Sequence, residues 1–200
     1  MIDPVDGTHE FVAGGKDYAT SVAVMRHGRL DSAALYFPMH DNLLLCQRDK
    51  GIFINGTKHT ASDRKARLKT VETGTLGVSP RQVDLHVMQD LMTEKSLSLK
   101  PISAVTPKSA AVILGQVYAS LSFPVPNSAA YIWDYAAAAL FLREMGLGFY
   151  SLDGEDLSEK LPISHPHGWF AGSDKLRDEL FDGTIDDSKI RSGVYTVKIR

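Results

Sequence analysis

Four short apolar segments close together near the start of the sequence constrain the fold more than any other feature. Strands are predicted at residues 18–25, 30–37, 43–47 and 51–56, and only polar turns of three to five residues separate them. Connections this short leave no room for the helices that join parallel strands. The first third of the chain is therefore predicted to form an antiparallel meander.

The sequence changes character near residue 72, where helical patterns begin to alternate with short apolar segments. Apolar spacing, N-cap residues at Thr106 and Ser128, and good helix formers predict helices over residues 83–93, 106–118 and 128–145. These elements form a mixed α/β arrangement rather than a continuation of the meander. We therefore divide the chain into a first unit, residues 1–72, and a second unit, residues 73–200.

The remaining predicted elements are short. Polar and basic residues over 58–69 indicate an exposed connector, and Ser173 is expected to cap a last helix that ends near Phe181. Further strands are expected at residues 75–78, 103–105, 121–123, 149–150, 161–163, 169–171 and 194–199.

Composition and charge exclude several classes of protein. With 44% apolar and 23% charged residues, the chain is typical of a globular domain with a sizeable core. A formal net charge of −2 does not provide the basic surface that a nucleic acid polymer requires, so we expect no such partner. No apolar run of about 18 residues predicts a membrane span, and no secretory signal is recognisable. We expect a cytoplasmic protein with no membrane partner.

The residues suited to chemistry are concentrated in residues 3–8 (DPVDGT). Asp3 and Asp6 flank a proline and precede a Gly-Thr step, which predicts the end of a buried strand that breaks into a tight turn. Carboxylates suit hard cations, and the free backbone amides of Gly7 and Thr8 suit phosphate oxygens. This turn therefore predicts metal-assisted phosphate chemistry.

Asp134 is a second acidic candidate, near the start of an otherwise apolar helix. Taken alone, an aspartate in this position is usually a helix cap or a partner of the helix dipole. Taken together with the opening turn, it indicates a site at which two aspartates from a turn meet a third from a helix N-terminus.

Both acidic stretches resemble the signatures of a known family. Residues 3–8 (DPVDGT) resemble the first signature of the inositol monophosphatase superfamily, which comprises Mg-dependent, lithium-sensitive phosphatases, and residues 133–137 (WDYAA) resemble the second. Residues 108–111 (KSAA) lie where the family often has Gly-Ser-Ala. The resemblance implies an α/β fold, an α+β layered sandwich of the inositol monophosphatase and fructose-1,6-bisphosphatase type, lacking the N-terminal helices.

The resemblance also implies roles for individual residues. The amides of Gly7 and Thr8 would hold the phosphate, and the Thr8 hydroxyl would orient the attacking water. Two or three Mg²⁺ ions would activate that water for hydrolysis of a small phosphorylated substrate. The implied catalytic residues are Asp3, Asp6, Thr8 and Asp134, and the implied metal ligands are the carboxylates of Asp3, Asp6 and Asp134 with the backbone carbonyl of Val5.

One ligand of the family pattern has no counterpart in this sequence. In the family, a glutamate from an upstream helical segment binds metal and positions the water, whereas this sequence begins two residues before Asp3. We therefore expect an N-terminally truncated member with weak metal affinity and low activity. A catalytically weak fragment is an alternative to the active enzyme.

The substrate is less constrained than the reaction. An inositol-type monophosphate is the first expectation, and a 3′(2′),5′-bisphosphate nucleotide and histidinol phosphate are alternatives. His9 begins a stretch similar to one in nucleotide bisphosphatases, and Asn127 lies near the position of a sugar-binding glutamate in inositol phosphatases. Lys108, at a predicted helix N-terminus, and the adjacent Ser109 are further candidates for substrate contacts. Because related enzymes are commonly homodimers, we expect a homodimer.

Overall fold

The computed structural model describes residues 1–83, 88, 92–93, 96–124, 129–152, 154–165 and 168–181. Its first sheet is antiparallel throughout, and its six strands follow one another in chain order. This arrangement is the meander that the short connections predict. The strands are β1 (Ile2–Asp6), β2 (Ala19–Arg26), β3 (Arg29–Phe37), β4 (Asn42–Gln47), β5 (Gly51–Ile54) and β6 (Thr57–His59).

The two faces of this sheet differ in exposure. Along β4, Leu44 and Cys46 are buried, whereas Leu43 and Leu45 are 39% and 43% exposed. Successive side chains of a strand point to opposite faces, so one face packs on the protein core and the other is partly open. The burial of the free thiol of Cys46 follows from its place on the inner face.

A second sheet of five strands begins at Thr75 and is mixed. The strand that begins at Thr75 is parallel to both of its neighbours, and the other two pairs are antiparallel. In spatial order the strands are β11 (Gly148–Ser151), β13 (Trp169–Gly172), β9 (Ala119–Ser122), β7 (Thr75–Val78) and β8 (Ser98–Pro101). A separate pair joins β10 (Ala130–Tyr131) to β12 (Ser164–His165).

Two helices lie between the sheets and form the middle layer. The longer helix contacts β2 and β3 of the first sheet and β11 of the second, and the shorter one contacts β7 and β9. The longer helix is buried from Tyr135 to Leu142, and its run of four alanines keeps it thin enough to pack on both sheets. The helices bounded within the described residues are α1 (Thr8–Val12), α2 (Ala61–Leu68), α3 (Val105–Ile113), α4 (Ile132–Glu144), α5 (Leu157–Lys160) and α6 (Asp174–Leu180).

One hydrophobic cluster joins the first sheet to α3, α4 and part of the second sheet. The change from one sheet to the other falls between His59 and Thr75, near the boundary that we placed after residue 72. The division into two units stays a prediction. Within the described ranges, no helix is both long and apolar enough to span a bilayer.

Residues 58–69, predicted as an exposed connector, are mostly exposed and join the two sheets, but they contain β6 and α2 rather than a loop. Thr60 and Asp63 form a capping box, in which the Thr60 amide donates to Asp63 Oδ2 at 2.8 Å and the Asp63 amide donates to Thr60 Oγ1 at 3.3 Å. The Arg64 side chain donates to the carbonyls of Val112 and Tyr118. Tertiary contacts therefore bind a segment whose composition suggested a solvated loop.

Two predicted strands are wrong. Residues 103–105 lead into α3, which begins at Val105 rather than after an N-cap at Thr106. Leu161 ends α5 with a left-handed backbone and cannot begin a strand there. The strand at Ser98–Pro101 and the short helix α1 were not predicted. Most of the helix predicted at 83–93, the proposed cap at Ser128 and the strand at 194–199 lie outside the described residues.

Candidate metal and phosphate site

An irregularity in β1 sets the position of the first two aspartates. Asp3 pairs with Ser21 and Asp6 with Ala19, so three steps along β1 match two steps along β2. In a regular strand, residues three apart point to opposite faces. The extra residue of this bulge resets the alternation and lets Asp3 and Asp6 share one side.

Gly7 ends the strand and starts the turn. Its φ of 89° lies in the left-handed region, and a Cβ added there would stand 2.6 Å from the carbonyl oxygen of Asp17. Only glycine fits both conditions. The next residue, Thr8, begins α1, and its hydroxyl donates to the carbonyl of Val5 at 2.8 Å.

Helix α3 meets this turn at its N-terminus. The backbone amide of Thr106, in the first turn of the helix, donates to Asp6 Oδ2 at 2.6 Å. This amide has no partner within the helix, and the positive end of the helix dipole favours a carboxylate there. Asp6 therefore serves as the anionic cap of a helix 100 residues away.

Helix α4 supplies Asp134 from its own first turn. Asp134 Oδ2 accepts a hydrogen bond from the Tyr131 amide at 2.8 Å, so the ordinary capping role of this residue is present. Its backbone carbonyl accepts from the Thr106 hydroxyl at 3.2 Å, which links the starts of α3 and α4. Capping uses only part of the acceptor capacity of the carboxylate.

Asp3, Asp6 and Asp134 converge. One carboxylate oxygen of each residue lies within 4.8 Å of those of the other two, and the group is buried or half-buried. Three carboxylates at this distance repel one another unless protons or cations neutralise them. This is the convergence that we predicted, and the ligand roles stay a prediction.

The ionisation of the cluster reflects this crowding. Burial raises the pKa of Asp6 to about 6, although hydrogen bonds from Thr106 oppose the shift and the charge of Asp3 adds to it. Burial also raises the pKa of Asp134 to about 7, and the charges of Asp6 and Asp3 raise it further against the hydrogen bond from Tyr131. Both carboxyls therefore hold protons more tightly than in an unfolded chain.

The donor set fits a hard divalent cation. All the candidate ligand atoms are oxygens, and Mg²⁺ prefers oxygen ligands while retaining several waters. The Val5 carbonyl accepts from the Thr8 hydroxyl, and a carbonyl oxygen has two lone pairs, so the same oxygen can also contact an ion. A cation would also supply the positive charge that the buried carboxylates lack.

A cavity of about 520 Å³ opens beside this cluster. Asp6, Gly7 and Thr8 form one part of its wall, and His9 and Glu10 continue that part along α1. Glu10 Oε1 accepts from the Ser103 hydroxyl at 2.7 Å, which ties α1 to the loop after β8. The remaining wall consists of Ser79, Pro80, Arg81, Ser103, Ala104 and Val105.

The predicted substrate contacts separate into three groups. His9 lines the cavity. Lys108 and Ser109 are buried on α3, where the Lys108 ammonium donates to Ser79 Oγ at 2.5 Å and lies 4.8 Å from the centre of the Trp169 ring. Neither of these two lines the cavity, so direct substrate contact stays a prediction that this geometry does not favour. Asn127 lies outside the described residues.

Sequence reasoning did not single out Ser79, Arg81 or Ser103. They follow β7 and β8, two parallel strands, and ligands of α/β sheets commonly bind beyond the carboxyl ends of such strands. The polar sequence Ser79-Pro80-Arg81 directly after a short apolar segment was the available signal. It was not recognisable as a site until β8 was known to run parallel beside β7.

Comparison with known proteins agrees with this architecture. Residues 1–181 match the family model of the inositol monophosphatase family. The inositol-1-monophosphatase of Bacillus subtilis is 24% identical over 190 residues, which cover 91% of this chain and 66% of that protein. The Nus factor SuhB of Xylella fastidiosa is 28% identical over 167 residues, which cover 82% of this chain and 60% of that protein. The chain thus spans less than two thirds of the length of these relatives.

Solved structures show the same fold. An IMPase/NADP phosphatase, crystallised with Mg²⁺ and phosphate, superposes with a TM-score of 0.71 at 22% identity, covering 100% of this chain and 69% of that one. SuhB from Bartonella henselae superposes with a TM-score of 0.67 at 25% identity, covering 88% and 68% of the two chains. The family match, spanning both acidic stretches, shows that the chain belongs to the inositol monophosphatase family.

Proposed function

We propose that this protein hydrolyses a small phosphate monoester with the help of Mg²⁺. The observation that carries the proposal is the convergence of Asp3, Asp6 and Asp134 beside a cavity whose volume, about 520 Å³, is large enough for a small ester. When bound by these carboxylates and the Val5 carbonyl, Mg²⁺ supplies the positive charge that activates water and stabilises the leaving alkoxide.

Gly7 and Thr8 would hold the phosphate through backbone amides. These amides lie at the start of α1, where the first N–H groups of a helix lack partners within the helix. The left-handed conformation of Gly7 turns the chain so that these residues line the cavity directly after Asp6. A phosphate there would lie next to the carboxylate cluster.

Thr8 would orient the water through its hydroxyl. The hydroxyl hydrogen is used in the bond to the Val5 carbonyl, so the oxygen lone pairs face other donors. A water molecule that donates to Thr8 Oγ1 is held by a group whose own orientation is fixed. Positioning of this kind contributes to catalysis because the attacking oxygen needs a defined direction.

The substrate we propose first is an inositol-type monophosphate, in line with relatives named as inositol-1-monophosphatases. Nucleoside 3′(2′),5′-bisphosphates and histidinol phosphate are the competing esters. Relatives named as Nus factors belong to the same family, so family membership alone does not select the substrate. We also propose a homodimer, which light scattering after size exclusion would test.

The deciding experiment measures phosphate release from inositol 1-phosphate while Mg²⁺ is titrated, in parallel with calorimetric Mg²⁺ binding. We expect saturable turnover that EDTA abolishes and that Asp134→Asn eliminates. Asp49→Asn is the matched control, since Asp49 is exposed and has a left-handed backbone that asparagine tolerates.

The two readouts separate the possible outcomes. Mg²⁺ binding without phosphate release from any of the three ester classes would favour the catalytically weak alternative. Failure to bind Mg²⁺ at millimolar concentration, or turnover that persists in EDTA, would overturn the proposal.

A further inference from the structure

The wall of the cavity beyond β7 is a short turn, residues 79–82, that is fixed at both ends by buried polar groups. At its start, Ser79 Oγ accepts from the buried ammonium of Lys108 at 2.5 Å. At its end, Gln82 is only 2% exposed, and its amide group bonds both the carbonyl and the amide of Phe123, at 2.6 and 3.2 Å. The 79–82 turn is therefore held at both ends by hydrogen bonds to buried groups.

Arg81 lies between these two anchors and faces a different environment. It is exposed, and it is the one lysine or arginine among the described residues that line the cavity. A guanidinium offers a planar fork of donors that matches carboxylate and phosphate groups, and less order is lost on binding when the backbone that carries it is already fixed. The 79–82 turn thus presents a cation to the same cavity that Asp6 and Thr8 line.

We infer that Arg81 selects phosphate esters that carry a second anionic group. The inference rests on the proposed function, because it places the ester phosphate at Gly7 and Thr8 and the second anion at Arg81. A neutral hydroxyl group at this position would replace a hydrogen bond between water and the Arg81 guanidinium with a similar one, and little affinity would be gained. An anionic group would instead form a charge-assisted pair with the guanidinium. Of the other charged groups in the wall, Glu10 already accepts a hydrogen bond from Ser103.

Lys108 acts in this arrangement as a positioning residue. Its ammonium contacts Ser79 and the face of Trp169 and does not line the cavity. It couples α3 to the turn that carries Arg81.

The test uses three esters that differ at one position: glucose 1-phosphate, glucose 1,6-bisphosphate and glucuronic acid 1-phosphate. They differ only at carbon 6 of the sugar, which is a hydroxymethyl group in the first ester, a phosphorylated hydroxymethyl group in the second and a carboxylate in the third. For each, kcat and KM for phosphate release are measured with saturating Mg²⁺ in the wild type, Arg81→Gln, Arg81→Lys and the control Arg29→Gln, whose side chain is exposed on β3.

We expect the wild type to prefer the two doubly anionic esters by about 10- to 100-fold in kcat/KM, the scale of one charge-assisted pair. Arg81→Gln should remove at least tenfold of this preference through KM, Arg81→Lys should retain part of it, and Arg29→Gln should leave the ratio unchanged. An equal loss for all three esters would place Arg81 on the ester phosphate and overturn the inference, as would no change in the ratio.

Binding measurements keep the inference separate from the proposed function. If no ester releases phosphate, the proposed function fails, and the affinities of the same three esters in Mg²⁺ are then compared by calorimetry. A preference for the doubly anionic esters that disappears in Arg81→Gln supports the inference in that case, and equal affinities overturn it.

Discussion

The backbone shapes the 3–8 turn of the cavity, whereas side chains from distant elements hold the 79–82 turn. In the first, a strand bulge and the left-handed Gly7 aim the carboxylates. In the second, Lys108 and Gln82 fix the ends and leave Arg81 exposed between them. Six consecutive residues therefore determine most of the conformation of the 3–8 turn, whereas the conformation of the 79–82 turn depends on packing between α3, β9 and the turn.

The two turns also differ in electrostatic state. The 3–8 turn places the carboxylates of Asp3 and Asp6 close to that of Asp134. Burial and the repulsion among these like charges raise the pKa of two carboxyls, so the folded form is destabilised when no cation is bound. The 79–82 turn carries one cation, Arg81, in the cavity wall, and the cation that anchors the turn, Lys108, is buried separately on α3 beside Trp169. A site for a metal-bound anion needs both properties. One wall, the 3–8 turn, must bind metal ions, and the other wall, the 79–82 turn, must not bind those ions in competition.

Removal of one charge from the carboxylate cluster is the strongest test of this charge repulsion. Asp6→Asn retains an oxygen that accepts from the Thr106 amide but deletes a metal ligand, so we expect phosphate release to fall by about 10³-fold or more. The metal-free protein should become more stable by roughly 1–3 kcal/mol, because burial disfavours the charged form of Asp6. Activity assays and thermal unfolding in EDTA measure the two effects.

The same two measurements on Asp49→Asn provide the control, and neither value should change. A fully active Asp6→Asn protein would exclude the ligand role. A metal-free form that loses stability would show that hydrogen bonding, and not charge, dominates at this position.

The Thr8 hydroxyl tests whether the backbone-shaped turn positions water. Thr8→Ala should lower kcat by about 100-fold, since positioned proton-transfer groups contribute on this scale, while Thr8→Ser should retain most activity. Thr20→Ala is the matched control, because the Thr20 hydroxyl also donates to a carbonyl of this turn, that of Pro4 at 2.8 Å, but does not line the cavity. Equal losses in Thr8→Ala and Thr20→Ala would mean that turn rigidity is the function of both.

The pH dependence follows from the two raised pKa values. Protons compete with Mg²⁺ for Asp6 and Asp134, whose pKa values are about 6 and 7, so calorimetric Mg²⁺ affinity should rise about 20-fold between pH 6 and pH 8. Metal-free stability should change in the opposite direction. Both folded pKa values exceed the ordinary 3.8, so stability falls as pH rises from about 4 to about 7. A Mg²⁺ affinity independent of pH would contradict the crowding of the cluster.

The contrast between the turns also explains what the sequence allowed to be predicted. The meander followed from connection lengths, and the chemistry of Asp3 and Asp6 followed from residue types in one turn. Asp134 alone was uninformative, because 128 residues separate it from Asp6 and capping explains it equally well. It was joined to them by the paired motif of the opening turn and by the resemblance to the family.

The features that were missed depend on contacts between distant residues. The partners of Arg64 lie 48 and 54 residues away, so α2 looked like a solvated loop even though its capping box was visible in the sequence. Arg81 is ordinary in sequence and becomes informative only because parallel pairing of β7 and β8 places it at a cavity.

The smallest effect is expected for Lys108→Met, which removes the buried ammonium that anchors Ser79 in the 79–82 turn. Burial lowers the pKa of Lys108 to about 8, against the favourable charge of Asp6, so at pH 7 the group is mostly a cation near the cluster. Methionine has a similar volume and no charge, so Mg²⁺ affinity at pH 7 should rise by about two- to fivefold through loss of repulsion.

The Arg81-dependent preference should weaken to a similar extent because Ser79 loses its anchor. Methionine also avoids the desolvation cost of a buried ammonium, so thermal unfolding should show an intact fold. Weaker Mg²⁺ binding in an intact fold would mean that Lys108 supports the 3–8 turn rather than the 79–82 turn.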